Sequence, residues 1–349
     1  MNSTILENQT VERLARTFRR SPCQMNRMNE SDAEIIRLGD TGVTLAITTD
    51  SIVEEIASGL YEAPYVIGWM AAMVNFSDLA AVGAAPAGLL IAETLPPDLT
   101  DDFISELQRG IEEGCRACGS FVLGGDTNFG NGLELTGCAV GVIDDGKPLS
   151  RAGCRPGQSL YCSGPLGNGN AFAISRFVSP RARSPFFPRA RIREGQLLRG
   201  LATACMDTSD GALATLDQLM RVNDVGFRLG GCWRNALGAK AEETAHQASI
   251  PSWLLLAGQH GEFELLFTVA PDHEEELLRR AASVAWHPIR LGAVVSRPEI
   301  SLEVYGKDTL IDTARMRNAA FTQHDNVKVY IQDLLHIDGE LQKGIGHHG

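Results

Sequence analysis

Aspartates recur where the chain turns out of or into an apolar, strand-like run. Asp50 closes "TLAITTD", Asp126 closes "FVLGGD", Asp207 and Asp210 follow "TACM" in "MDTSDG", and Asp40 stands in "RLGDTG" just before a strand. Each alone would serve as a helix cap or a turn residue. Together they fit the ends of strands where open α/β sheets collect ligands. Asp78 is sharper still. It lies in "VIGWMAAMVNFSDLAAVGAAP", a segment apolar on nearly every side and therefore a buried helix. A buried carboxylate there needs a cationic partner, either an ion pair or a metal and phosphate site.

Hard oxygen ligands of this kind suit Mg²⁺, which keeps several waters and binds through a few carboxylates and substrate phosphates. In "VLGGDTNFGNG", Gly124 and Gly125 would let backbone approach phosphates, and Thr127 offers a hydroxyl. The chain lacks GxxxxGK followed by Ser or Thr, so a Walker-type site is excluded, and it has neither GxSxG nor HExxH. Phosphoryl transfer asks the protein mainly for positioning and charge neutralisation, which an aspartate-rich site without an evident base can supply. His260, in "GQHGEFELLF", is the histidine placed beside a glycine-rich turn and a strand, where it could touch substrate.

The composition narrows the remaining classes. At 349 residues the chain is long enough for two domains, with 44% hydrophobic and 21% charged residues. A net charge of −12 argues against a broad nucleic-acid surface. No apolar run reaches spanning length, and the N-terminus lacks a secretory pattern, so a soluble cytoplasmic protein with no membrane partner is expected. Cys115 and Cys118 form a CxxC, but they share a helical face with Phe103, Leu107 and Ile111 and read as core.

The elements that must position these groups alternate between strand and helix. Strands are predicted at 43–50, 87–95, 120–126 and 133–143, with helices at about 64–82 and 101–118. The division expected is an arm over 1–34, an N-terminal domain over 35–148 ending near "DDGK", a C-terminal α/β domain over 149–322, and a tail over 323–349 that looks like an appendage. The second domain is predicted to hold strands at "QSLYCSG", "TACM", "GFRL", "GEFELLFTV" and "PIRLGAVV". "GPLGNGNAF" is a weak glycine-loop signal, and the two terminal histidines are too few for a metal site.

"NFSDLAAVGAAPAGLLIAETLP", "VLGGDTNFG", "LSRAGCRPGQSLYCSGPLG", "MDTSDGALATL" and "GEFELLFT" occur in the order and at about the spacing of thiamine-monophosphate kinase. The chain thus resembles that family, which belongs with aminoimidazole ribonucleotide synthetase, selenophosphate synthetase and the hydrogenase-maturation dehydratase. The resemblance runs from Leu38 to Phe321. It implies an α/β (α+β), two-domain aminoimidazole ribonucleotide synthetase-like fold, a homodimer formed by pairing of the N-terminal sheets, and ATP with several Mg²⁺ ions between the domains.

Carried over by position, the resemblance places Thr48, Thr49, Asp50, Asp78, Asp126, Asp207 and Asp210 among the metal-binding groups, with Asp40 standing for the start of the family's Gly-Asp-Asp. Gly125, Asp126, Arg151 and Ser209 fall on the nucleotide by that carry-over, joined by Gly124 and Thr127 from the residue reading above; Asp126 and Asp210 are the candidates at the transferred phosphate, and His260, Glu262 and Phe321 are the substrate-side candidates. The departures are specific. Thr41 follows Asp40 where a second aspartate is usual, Ala57 stands where a substrate histidine is usual, Gly261 replaces a glutamate, and Phe129 replaces an arginine. The expected function is an ATP- and Mg²⁺-dependent phosphotransferase with a divergent small-molecule acceptor. An ATP-dependent synthetase or dehydratase, or a non-catalytic nucleotide-binding relative, are the alternatives.

Overall fold

The computed structural model of the protein describes residues 4–144, 147–179, 186–323 and 326–346. Part of the "DDGK" boundary and both terminal histidines fall outside them.

The N-terminal half is one five-stranded sheet with two long helices on one face. After helix α1 (Leu6–Ala15) come strands β1 (Glu34–Arg37) and β2 (Thr44–Ser51), a short helix α2 (Val53–Ala57), helix α3 (Pro64–Ala81), strand β3 (Ala85–Leu95), helix α4 (Asp101–Ala117), and strands β4 (Val122–Phe129) and β5 (Glu134–Ile143). Their order in the sheet is β1-β2-β5-β3-β4. Only β3 and β4 pair in parallel, joined by the α4 crossover. Thr100 caps α4 by accepting the Phe103 N–H, and Leu107, Ile111, Cys115 and Cys118 of the apolar stripe are buried, as the periodicity predicts. Burial pushes both thiols up to about 12, which suits core residues. Helix α3 is held tightly against α4 because Gly68 and Gly110 face each other's backbone: a Cβ on Gly68 would lie 2.0 Å from the Leu107 carbonyl oxygen, and one on Gly110 would lie 2.2 Å from that of Tyr65.

The second half adds strand β6 (Ser159–Cys162), helices α5 (Asn168–Phe177) and α6 (Ile192–Leu198), strand β7 (Ala202–Asp207), helix α7 (Ala212–Asn223), strand β8 (Gly226–Gly230), helix α8 (Ala239–Gln247), strand β9 (Leu265–Val269), helix α9 (Glu274–Ser283), strands β10 (Ile289–Val295), β11 (Ile300–Val304) and β12 (Lys307–Leu310), and helices α10 (Thr313–Thr322) and α11 (Val327–Gly346). Its seven strands run β12-β11-β8-β10-β6-β9-β7. Strands β6 and β9 are buried at every position, each a mostly apolar run with one buried hydroxyl residue, Ser159 and Thr268.

The first and last helices are packed rather than loose. On α11, Tyr330, Ile331, Leu334 and Ile337 are buried, and Asp338 accepts from Trp253 Nε1 and Tyr305 OH at 2.7 Å each. On α1, Glu7 and Asn8 meet Arg317 of α10. The appendage expected after residue 322 is therefore a helix covering the second sheet's helical layer. Its alternation of apolar and polar residues is helical, and the apolar face finds a partner only in the folded chain. Among the described residues no helix is long and apolar enough to cross a membrane.

Candidate functional site

Carboxylates from both sheets converge where β2 and β7 end. Thr48 and Asp50 share the face of β2 turned toward α3, by the two-residue alternation of a strand. Thr48 Oγ1 donates to Asp78 Oδ2 at 2.5 Å. From the other sheet, Asp207 ends β7 fully buried, and Ser77 Oγ, beside Asp78 on α3, donates to its Oδ2 at 2.5 Å. Asp32, Asp78 and Asp207 each offer an oxygen within 4.8 Å of the others.

Asp32 was not singled out in the sequence. It precedes β1 in "ESDAEIIR", and the register Glu34↔Ile47 carries it to the same end of β2 as Asp50. Asp40, expected among the metal ligands, lies apart. It is exposed in the turn joining β1 to β2, at the opposite end of β2, some six residues or about 20 Å from Asp50. Reading the hairpin from its turn rather than from its open end caused the miss. Thr41 consequently marks no lost ligand in the cluster, because Asp32 stands there.

The electrostatics are those of an acid-rich centre short of cations. Burial pushes Asp207 up to about 7, with the Asp32 charge adding to it and the Ser77 hydroxyl and Arg151 pulling it back. Asp50 rises to about 6, again chiefly by burial. Asp78 is raised well above the usual carboxylate range by burial and by the charges of Asp50, Asp207 and Asp32. The nearby cation is Arg151, whose Nη2 lies 2.9 Å from Asp32 Oδ1. The other Asp32 oxygen, Oδ2, is buried with no hydrogen-bond partner. An orphaned carboxylate oxygen among three clustered acids is a donor set that fits a hard divalent cation such as Mg²⁺.

The remaining predicted residues distribute as follows. Ser209 Oγ donates to Asp207 Oδ1 at 3.1 Å, and Asp210 closes the same turn, just before the N-terminus of α7. Thr49 faces away from Asp78, and its Oγ1 donates to the Gly137 carbonyl at 2.8 Å. Asp126 does not join the cluster. It is in register with Ala92, Thr136 and Ser51 across β3, β5 and β2, three strand spacings or about 14 Å from Ser51. It is exposed on β4, accepting from Asn128 Nδ2 at 2.8 Å, while Thr127 donates to Glu93. Gly125 has a local reason for being glycine, since a Cβ there would lie 1.7 Å from the Ile91 carbonyl oxygen. Gly124 and Gly125 sit at an irregularity in the β3–β4 pairing, with Gly124 at φ 149°, so they serve the strand edge as well as any ligand.

On the substrate side, His260 and Phe321 line one cavity of about 470 Å³ together with Asp210, Glu55, Arg317 and Tyr330. Burial pushes His260 down to about 4. Glu262 lies outside this cavity. It is 4% exposed and its Oε2 accepts the Gly167 N–H at 2.9 Å, holding the glycine loop that leads into α5. The Gly261 position admits no side chain, because a Cβ there would meet the Thr208 carbonyl oxygen at 1.3 Å. Ala57 ends α2 next to Ser58, which lines the cavity.

The AIR synthase related protein, N-terminal domain family matches residues 30–143. The chain is similar to the thiamine-monophosphate kinase of Escherichia coli O157:H7, with 31% identity over 256 residues, covering 69% of this chain and 74% of that protein. It is similar at 31% identity to the thiamine-monophosphate kinase of Halobacterium salinarum, covering 70% of this chain and 81% of that one. Among solved structures, tt0281 from Thermus thermophilus superposes with a TM-score of 0.72 at 27% identity, covering 85% of this chain and 96% of that chain. AaThiL complexed with AMPPCP and TMP shares the fold, with a TM-score of 0.71 at 21% identity over 89% and 99% of the two chains.

Proposed function

Because the chain belongs to the thiamine-monophosphate kinase family, we propose that it is a cytoplasmic, ATP- and Mg²⁺-dependent phosphotransferase whose small-molecule acceptor differs from thiamine monophosphate. The observation that carries this reading is the meeting of Asp32, Asp78 and Asp207 within 4.8 Å, with Asp32 Oδ2 buried and unpartnered. Asp32, Asp78 and Asp207 would hold Mg²⁺, with Asp50 and Asp210 beside them. When bound, the metal supplies positive charge that offsets the phosphates of the nucleotide.

The chain's own groups do the positioning. Arg151 sets a guanidinium at the edge of the carboxylates, tethered by Asp32, from which it can turn to a phosphate oxygen. The Thr208–Gly211 turn runs into α7, whose first N–H groups favour an anion. Ser77 and Ser209 hold the Asp207 carboxylate from either oxygen, so it is already oriented before any ligand arrives. Of these acids Asp210 lines the cavity described above, and an acceptor seated there would approach the transferred phosphate from the side of His260.

Divergence of the acceptor is supported by two positions adjoining residues of that cavity, next to Ser58 and His260. The family's substrate histidine and glutamate are Ala57 and Gly261 here, and Gly261 leaves no room for a side chain. The non-catalytic alternative loses one of its grounds, since Asp32 occupies the cluster from which Thr41 had suggested a loss.

We further infer a homodimer through the N-terminal sheet. Strand β4 is exposed along its whole length at the sheet edge, and Phe121, Leu123 and Phe129 are 70%, 57% and 77% exposed. A long apolar edge of that kind needs a partner. Asp126 would then lie at the junction of the two protomers. Light scattering of Leu123→Glu should give monomers where the native chain gives dimers.

The test of the activity is calorimetry with AMPPCP with and without Mg²⁺, followed by ATP consumption across a panel of acceptors. Metal-independent or absent nucleotide binding would sink the site. Thiamine-monophosphate turnover matching that of the family's kinases would sink the divergence.

A further inference from the structure

Helix α3 is apolar and buried over most of its length, yet Asn75, Ser77 and Asp78 follow one another closely along it. Ser77 reaches Asp207 and Asp78 meets Thr48. Asn75 is fully buried. A side-chain amide shut away from water costs free energy unless both of its ends are bonded. Its Nδ2 donates to the Ala71 carbonyl of its own helix at 3.0 Å. Both ends also address one residue of the sheet: Oδ1 accepts the Asp50 N–H at 3.1 Å, and Nδ2 donates to the Asp50 carbonyl at 3.4 Å. The amide thus holds the peptide groups on either side of the Asp50 Cα, and a residue held on both sides has its side chain aimed.

The seat for this amide is cut out of β5. Gly137 is the partner of Asp50 in the β2–β5 register, and a Cβ there would lie 2.2 Å from Asn75 Nδ2. Gly137 is not among the residues of positive φ, so no turn conformation demands glycine, and the three atoms that a Cβ would meet first all belong to Asn75. Asp50 is not one of the three acids whose oxygens lie within 4.8 Å of one another, but its charge weighs on Asp78 ahead of those of Asp207 and Asp32. Whether Asp50 shares a cation with that trio therefore depends on where its backbone is held.

We propose that Asn75 is a positioning residue of this metal site: by gripping the Asp50 backbone from α3 it sets how far the Asp50 carboxylate stands from Asp78, and Gly137 is glycine to admit it. The inference rests on the phosphotransferase reading and deepens it. Asn75, enclosed on all sides, acts through Asp50 and not on a ligand. A group that orients a metal-binding carboxylate in this way governs cation affinity as well as the fold.

The test is AMPPCP binding by calorimetry over a series of Mg²⁺ concentrations, on the full chain, with the Tm of each variant measured alongside. In Asn75→Ser the hydroxyl keeps a bond to the Ala71 carbonyl of its own helix but is too short to reach Asp50. It should raise the Mg²⁺ midpoint about tenfold or more. Gly137→Ala, which keeps Asn75 but pushes it off its seat, should raise the midpoint to a similar extent. Adding Gly137→Ala to Asn75→Ser should change it by less than about twofold further, because the serine no longer fills the space that the methyl needs. Gly141→Ala is the control. Its methyl would lie 2.9 Å from Ala84 Cβ and 3.3 Å from Leu79 Cδ1, so it loosens the packing of α3 on β5 without meeting Asn75. It should lower the Tm and leave the midpoint within about twofold. An Asn75→Ser midpoint equal to that of the native chain, a Gly141→Ala shift as large as that of Gly137→Ala, or effects of Asn75→Ser and Gly137→Ala that multiply in the double variant would each overturn the proposal. A native chain that binds no AMPPCP at any Mg²⁺ concentration would overturn the phosphotransferase reading and this proposal with it, and the native titration alone tells that failure from the others.

Discussion

Ser77, on the helix that packs against the first sheet, donates its hydroxyl to Asp207 at the end of a strand of the second sheet, across 2.5 Å. The neighbouring Asp78 meets Thr48 on the first sheet at the same distance. One turn of α3 therefore addresses both halves of the molecule, and the acidic cluster exists only because those halves meet there.

Ser77→Ala removes one of the two hydroxyls that hold the buried Asp207. A loss of about 1–2 kcal/mol in urea unfolding at neutral pH is expected. Nucleotide affinity in Mg²⁺ should fall severalfold in calorimetry, because Asp207 is no longer fixed from both oxygens.

Asp32→Asn and Asp40→Asn separate the two readings of the metal ligands. The first should weaken AMPPCP binding in Mg²⁺ at least tenfold, while the second should leave it within twofold, since Asp40 is exposed in the β1–β2 turn. Equal effects from the two variants would contradict the assignment of Asp32.

His260 sets an acid limit on stability. Its folded value of about 4 lies below the 6.5 of an exposed histidine, so the unfolded chain binds more protons between those values. Stability is fully present above pH 6.5 and is lost as the pH falls toward 4. Comparing unfolding at pH 7 and pH 4.5, His260→Gln should shrink the difference by on the order of 2 kcal/mol.

Gly261→Ala should destabilise the fold by about 3 kcal/mol or more, with the Tm falling accordingly, because the added carbon would overlap the Thr208 carbonyl. A glutamate cannot be restored at this position without moving the turn that carries Asp207, Ser209 and Asp210.

Much of this protein was legible in its residues. The apolar run around Asp78 demanded burial, the stripe from Phe103 to Cys118 demanded a helix on a sheet, and the alternation in "VTLAITTD" gave β2 its two faces. These are local consequences of period and polarity, and they placed Asp50, Asp78 and Asp207 at element ends near one site. What the residues could not state was which acids share that site. Asp40 and Asp32 both flank β1, and only the pairing of β1 with β2 decides that Asp32 reaches Asp50 while Asp40 is carried to the far end of the hairpin. Asp126 belongs to the same pattern of strand-end aspartates, yet the sheet order sets it three strands away. The cavity beside Asp210 was still less visible, because Glu7, Glu55, Asp210, His260 and Tyr330 come from five separate segments. Period and polarity act over a few residues, whereas register, sheet order and the docking of the two terminal helices depend on contacts between residues hundreds of positions apart, which only the folded chain brings together.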